Sequence, residues 1–381
     1  MTSIPLGRGN RVSYIGAMST LAASSDRADR RVPNQAGDRA VGLWLLSVAV
    51  MIFAMAVIGA ITRLTESGLS IMEWAPISGT LPPLSHDEWE RLFALYKTIP
   101  EYQQINRGMS LADFKEIFWW EWIHRLWGRL IGAVFAGGFL ILLFRRKISR
   151  ALTPHLIAMF ALGGLQGLVG WYMVASGFAE RTDVSQYRLA AHLGLALAIY
   201  AYVLWITFGL LAPAPAQSDG ARALRTGLRA FAGLLAATIL AGALVAGINA
   251  GLTYNTFPKM AGEWVPSGYW IREPTWANPF ENPAAVQFNH RVLAVLTVIT
   301  ALGLWGWART RPLAATARRA FDLLALAALG QLGLGIWTLL WVVPVWLGAA
   351  HQAGALTLLA LTVWALTRLS PTSNTPTPAR G

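Results

Sequence analysis

One stretch decides the fold: residues 41–62 read VGLWLLSVAVMIFAMAVIGAIT and contain no charged side chain. At about 1.5 Å per residue, a helix of this length crosses the roughly 30 Å hydrocarbon layer of a bilayer. Comparable apolar runs follow at about 124–144, 152–175, 188–211, 228–251, 290–308, 319–341 and 346–367. The sequence therefore predicts an all-α integral membrane protein with eight transmembrane helices.

The composition agrees with a chain that lies mostly in lipid. Charged residues make up 13% of the 381 residues, about half the share usual in soluble domains. The net charge of +12 is typical of basic cytoplasmic loops in a membrane protein, so we predict no nucleic-acid partner. The chain has no cysteine, which excludes disulfides, thiolate zinc sites and iron–sulfur ligation within it.

The connections between the helices alternate in charge. Both ends of the chain and three connections are basic, whereas most acidic residues lie in the other connections, chiefly the long loops 64–123 and 252–289. By the positive-inside rule, both termini face the cytoplasm and the long loops face the opposite side. The Trp, Pro and Gly content of these loops predicts ordered caps at the membrane interface.

The chain also contains an internal repeat. Each half has four predicted helices, an even number, so the halves have the same orientation and an axis along the membrane normal. We predict two pseudo-symmetric four-helix bundles, 41–211 and 228–369, joined by a cytoplasmic linker, 212–227, and flanked by disordered tails, 1–40 (cytoplasmic) and 370–381. The recurring residues are Gly59-Ala60 and Gly242-Ala243, Glu121-x-x-His124-Arg125 and Gln287-x-x-His290-Arg291, Gln166 with Gly170 and Gln331 with Gly335, and Ala-Ala-His192 and Ala-Ala-His351.

Four of the six histidines recur between the halves and are expected to begin helices 2, 4, 6 and 8: His124, His192, His290 and His351. His86 and His155 are expected to be solvated. An ionisable residue inside a membrane bundle is a functional hypothesis by default. A haem takes two axial ligands from facing helices, whereas zinc or copper takes three or four converging ligands. We therefore predict one bis-histidine haem site in each bundle.

Two neighbouring features bear on these sites. Arg125 and Arg291 follow a histidine in each half and are candidate contacts for haem propionates, with snorkelling to the interface as the alternative. Glu121 lies three residues before His124, where the second half has Gln287. Only the first site therefore carries a carboxylate, which can act as a base or stabilise positive charge. This asymmetry favours a reactive first site and a redox cofactor in the second.

The chain resembles the haem A synthase family, in its cysteine-free alphaproteobacterial and mitochondrial form. The residues that carry the resemblance are Arg63-Leu-Thr-Glu-Ser-Gly-Leu-Ser70, the Glu-x-x-His-Arg of helix 2, the Ala-Ala-His of helices 4 and 8, and Asn289-His290-Arg291.

The resemblance implies two successive oxidations of the C8 methyl group of haem O to the formyl group of haem A, for terminal oxidase biogenesis. It implies that His290 and His351 bind the iron of a haem b cofactor, that His124 and His192 bind the substrate haem, and that Glu121 is catalytic. It also implies haem O synthase as a functional partner, an electron-transfer partner that the sequence does not identify, and the bacterial inner membrane, with the mitochondrial inner membrane as the alternative.

Two other functions stay open at this point. A dihaem cytochrome that exchanges electrons with quinone explains the four histidines but gives no reason for Glu121. A transporter explains a repeat with polar membrane residues, but the ionisable residues are predicted at the rim and not at the midplane. The glycine-rich faces of helices 3 and 7 allow a homo-oligomer, although we favour packing within each bundle.

Overall fold

The structure is a computed structural model that describes residues 35–75, 78–178, 181–212 and 221–369. Eight of its helices are long and apolar enough to cross a membrane, which confirms the predicted fold class. No β-strand occurs in these described ranges, where Met260 and Glu263 form an isolated bridge. The long helices are α1 (Gln35–Leu64), α2 (Leu111–Phe144), α3 (Thr153–Val174), α4 (Gln186–Leu211), α5 (Ala221–Gly247), α6 (Pro283–Arg309), α7 (Ala315–Leu340) and α8 (Val345–Arg368).

Several predicted boundaries are wrong, most of all the start of α2. This helix begins at Leu111 because Ser110 and Asp113 form a capping box, an arrangement that satisfies the first free N–H groups of a helix. Its first turns carry Lys115 and Glu116, so they extend beyond the apolar run on which the prediction rested. His124 therefore lies more than three turns inside α2.

The other three recurring histidines also lie inside their helices, about two turns after the first residue, and not at the helix starts as predicted. The predicted tail 1–40 and linker 212–227 need correction as well. Residues 35–40 belong to α1 and residues 221–227 to α5, whereas 1–34, 213–220 and the predicted tail 370–381 lie outside the described residues.

The helix contacts repeat between the halves. In the first half, α1 and α3 each pack against α2 and α4, and in the second half α5 and α7 each pack against α6 and α8. Between the halves, α4 packs against α5, α8 against α1, and α4 against α8. If the two halves were exchanged, the contact of α4 with α5 would become that of α8 with α1, and the contact of α4 with α8 would stay the same. A duplicated bundle would have this pattern, and the division into two pseudo-symmetric bundles stays a prediction.

Arg63 at the end of α1 joins the halves at the side of the long loops. Its Nη2 donates to the carbonyl of Ala246 (2.8 Å) and to Oδ1 of Asn249 (3.1 Å), and its Nη1 lies 3.5 Å from Asp183. At the opposite side, Arg368 of α8 donates to carbonyls at the end of α4. Between these two ties, a buried apolar core runs along the helices of both halves.

The first long loop folds into the ordered cap that its composition predicts. The short helix His86–Tyr96 is capped by Ser85, and its buried side chains Trp89, Phe93 and Tyr96 pack with Phe114 and Phe118 on the outer extension of α2. His86 is exposed and lies 3.2 Å from Glu90. The second helix of the loop, Pro100–Gln104, carries the buried carboxyl of Glu101 beside Tyr96.

The second long loop is also ordered, with short helical turns and the helix Asn278–Glu281. The turns after α1 and α5 match: Glu66 and Asn249 each lie two residues past the helix end, and both adopt a left-handed φ of 53°. The cap over each half therefore starts from the same backbone turn.

Candidate functional site

Each of the four recurring histidines lies against a glycine of the neighbouring helix. A Cβ atom on Gly59, Gly170, Gly242 or Gly335 would approach the Cε1 atom of its histidine to between 2.8 and 3.0 Å. Contacts this short are too close for a side chain, so the glycines allow each imidazole to lie directly on the adjacent backbone. The pairs are Gly59 with His124, Gly170 with His192, Gly242 with His290 and Gly335 with His351.

A glutamine holds the histidine of α4 and of α8 in place. The Nε2 atom of Gln166 lies 3.1 Å from Nδ1 of His192 and donates to the carbonyl of the same residue. Gln331 makes the same two contacts with His351, at 3.1 and 2.9 Å. Gln166 Nε2 also lies 3.2 Å from Nε2 of His192. Each glutamine therefore holds the position of one imidazole ring.

The second half brings His290 and His351 together. Their ring centroids lie 6.5 Å apart with the planes nearly perpendicular. Bonds between metals and imidazole nitrogens are about 2 Å long, so one metal ion fits between the two rings. The Nδ1–H of His290 donates to the carbonyl of Thr238 (3.1 Å). With the proton on Nδ1, the Nε2 atom of the same ring has a lone pair that could bind a metal ion. Two imidazoles at this separation therefore fit a haem, whose iron they would hold.

The first half has the same two histidines but a less complete set of partners. His124 and His192 are close enough to interact electrostatically. The Nδ1 atom of His124 is buried and has no hydrogen-bond partner among the described residues, whereas the matching atom of His290 has one. In those same ranges, no three or more His, Asp or Glu side chains converge as a metal site. Each half thus offers two imidazole ligands.

Glu121 ties α2 to the loop that follows α1. The side chain is 3% exposed, and its Oε2 accepts bonds from Ser70 Oγ and the Ile71 N–H, both at 2.7 Å. Its Oε1 accepts bonds from Arg125 Nε (3.0 Å) and Nη2 (2.6 Å). A buried carboxylate with four donors is held firmly in one position.

Gln287 occupies the same place in the second half with the opposite hydrogen-bond chemistry. Its Nε2 donates to the carbonyls of Ala250 (2.9 Å) and Tyr254 (3.2 Å), and its Oε1 accepts a bond from Arg291 (3.1 Å). The loop therefore presents acceptors to Gln287 but donors to Glu121.

Both arginines after the histidines bind loop carbonyls in the structure. Arg125 donates to the carbonyls of Ile71 and Glu73, and Arg291 donates to those of Tyr254 and Thr256. Contact with haem propionates stays a prediction for both.

Sequence reasoning missed the partners of these residues. Ser70 belongs to the segment that carries the family resemblance, and the glycines at 59, 170, 242 and 335 belong to the repeat, but neither pattern indicates a contact. The signal was present for the glycines, because each recurs in the second half together with the histidine that it touches.

The fold and these sites define a class: membrane proteins with eight spanning helices that present paired histidines between helices of each half. Residues 42–363 match the COX15-CtaA family of cytochrome oxidase assembly proteins, and the chain belongs to that family.

Curated relatives agree over nearly their whole length. The protein named Heme A synthase in Rhodospirillum centenum is 53% identical over 361 residues, which cover 93% of this chain and 94% of the relative. Its namesake in Parvibaculum lavamentivorans is 48% identical, with 88% and 96% covered. In Nitrosomonas eutropha, Heme A synthase is 47% identical, with 87% and 94% covered.

Proposed function

We infer that this protein is a haem A synthase, a membrane oxidoreductase that converts haem O to haem A for cytochrome oxidase assembly. The observation that carries the inference is the pair of two-histidine sites at matching positions, of which only the first is bordered by a carboxylate. Family membership and the names of relatives that match nearly full length support the same reaction. The substrate methyl group at C8 is oxidised twice, first to an alcohol and then to a geminal diol, which loses water to give the formyl group.

The second half is the better candidate for a resident haem b. His290 and His351 both have a partner at Nδ1, and their ring centroids lie 6.5 Å apart, a separation that would accommodate a metal ion. A site that is already oriented before it binds loses little entropy on binding. When bound, haem b supplies one-electron redox chemistry, and His290 and His351 hold its iron.

The first half is the better candidate for substrate haem. His192 is oriented by Gln166, but His124 has no partner at Nδ1, so this site is less complete without its ligand. Glu121 lies one helical turn before His124. We propose that Glu121 places a fixed negative charge at the edge of the substrate site, where it stabilises positive charge that develops during oxidation of the methyl group.

The rival function, a dihaem cytochrome, needs two redox haems but no substrate site. A dihaem cytochrome gives no reason for a glutamate in one half and a glutamine in the other. The loop of each half is matched to its own residue, with donors that face Glu121 and acceptors that face Gln287. A specialised pair of sites favours the enzyme.

The proposal also covers the location of the protein in the membrane and its partner proteins. The basic short connections indicate a cytoplasmic location for both termini, and the bacterial relatives suggest the inner membrane. Haem O synthase is the expected supplier of substrate, and an electron-transfer partner is expected to exchange electrons with the enzyme.

The function is tested by co-expression of the chain with haem O synthase and identification of the extracted haems by mass. Haem A is the expected product, and a strain that accumulates only haem O contradicts the proposal. Separately, His290→Ala and His351→Ala should each remove haem b from the purified protein, whereas the exposed His86→Ala should not. A normal haem b spectrum in both site variants would overturn the cofactor assignment.

A further inference from the structure

The helix pair α2–α3 differs from its counterpart α6–α7. Helices α6 and α7 make an extensive contact with each other, whereas α2 and α3 touch at few points. In the most apolar stretch of α2, and likewise of α3, 6% of residues are buried, against 28% in α6 and 22% in α7. The first half is therefore open to lipid along a seam that is closed in the second half.

Three glycines lie on the exposed faces of α2 and α3. Gly132 on α2 and Gly163 and Gly167 on α3 are exposed, and a Cβ atom on any of them would have no neighbour within 4 Å. In the register of the repeat, the second half has larger residues at these positions: Val298 (8% exposed), Ala328 (1% exposed) and Leu332, which packs against the core. Side chains in the second half thus fill space that the first half leaves empty.

The seam is continuous with the first histidine site. Gly163 and Gly167 lie on the same face of α3 as Gln166 and Gly170, because residues three, four or seven positions apart share a helical face. Both Gln166 and Gly170 contact His192. On the α2 side of the site, the buried Nδ1 of His124 has no partner among the described residues. The open face of α3, called the groove below, therefore leads from His192 to the exposed Gly163 and Gly167.

We propose that the groove lined by Gly132, Gly163 and Gly167 holds the isoprenoid side chain of the substrate haem and is the lateral route by which that haem enters from the bilayer. The proposal rests on the proposed function. An isoprenoid chain is apolar and stays in an apolar environment throughout transfer from lipid to protein. A substrate must enter and its product must leave at every turnover, whereas a resident cofactor stays bound. An opening in only one half meets both requirements.

The test introduces, at two groove positions of the first half, the larger residues found at the matching positions of the second half. Gly167→Leu reproduces Leu332, and Gly132→Val reproduces Val298. The matched control is Ala161→Leu, because Ala161 is exposed, lies on the opposite face of α3, and has as its counterpart Leu326, which is 67% exposed. Each variant is purified with haem b bound and titrated with haem O and with haem B, which lacks the isoprenoid chain. His124→Ala serves as the blank for binding elsewhere.

We expect Gly167→Leu and Gly132→Val to weaken haem O binding about tenfold, since each added side chain would occupy space proposed for the isoprenoid chain, and to leave haem B binding unchanged. The control should bind both haems like the wild type. Unchanged haem O affinity in both groove variants, or an equal loss of haem B affinity, would overturn the proposal. A change in oligomeric mass would overturn it too, because the seam would then be a contact between copies. If the wild-type chain formed no haem A in co-expression, the proposed function would be contradicted instead, and the binding affinities of the variants could still be compared.

Discussion

Replacement of Glu121 by glutamine tests two expected roles of the carboxylate: it holds the first loop against α2, and it stabilises positive charge during oxidation of the substrate. The effect of the replacement on the loop can be estimated from the hydrogen bonds. The carboxylate accepts bonds from Ser70, Ile71 and Arg125 in a buried position. A glutamine has one acceptor and one donor end. If its NH₂ group faces the loop, it opposes the Ile71 N–H; if it faces the other way, it opposes the guanidinium of Arg125.

Either orientation leaves one buried donor without an acceptor and removes the ion pair with Arg125. An unsatisfied buried donor costs about 1–3 kcal/mol, and a hydrogen bond to a charged group contributes about 1.5–3 kcal/mol. We therefore expect Glu121→Gln to weaken the attachment of residues 70–73 to α2 by roughly 3 kcal/mol, on the order of a hundredfold in the equilibrium for opening. Gln287 tolerates its position because its NH₂ group faces carbonyls.

The assay combines hydrogen exchange of the first loop with the yield of haem A in cells that supply haem O. Glu121→Gln should accelerate exchange at Ile71, retain haem b and produce little haem A. The exposed Glu116→Gln, on the outer extension of the same helix, is the control and should match the wild type. Faster exchange with a normal yield of haem A would show that the carboxylate only holds the loop. Wild-type exchange would refute the estimate itself.

Three further predictions concern the cofactor site, the cap and the contact between the halves. Gly335→Val should displace His351, which a Cβ atom would already approach to 2.8 Å, and lower haem b content in purified protein; Gly330→Val, with nothing within 4 Å, should not. Burial raises the pKa of Glu101 to about 8, above the value of 4.5 expected for the unfolded chain, so the stability of the cap should fall as pH rises between about 4.5 and 8. Glu101→Gln should remove that dependence, measured as protease resistance of the first loop, and a wild-type cap with equal resistance at both ends of this range would contradict the assignment. Arg63→Met should lower the melting temperature in detergent, because it removes bonds to Ala246 and Asn249, whereas the exposed Arg107→Met should leave it unchanged.

Much of the fold could be predicted because hydropathy is a local property of the chain. A run such as 41–62 predicts a membrane helix whatever surrounds it, and the repeat predicted which histidines would correspond. The start of α2 could not be found in this way. A charged first turn hides the helix from a hydropathy criterion, and the capping box at Ser110 sets the boundary.

The sequence by itself determined eight spanning helices, two sets of paired histidines and one carboxylate, Glu121, three residues before a recurring histidine. The tertiary structure decided what those residues touch. Ser70 and Ile71 lie about fifty positions from Glu121 in the chain, and the small contact between α2 and α3 could not be predicted from the glycines of these helices. Composition and spacing record which groups are available, but hydrogen bonds and packing act over a few ångströms. Only the folded chain brings distant residues within that range.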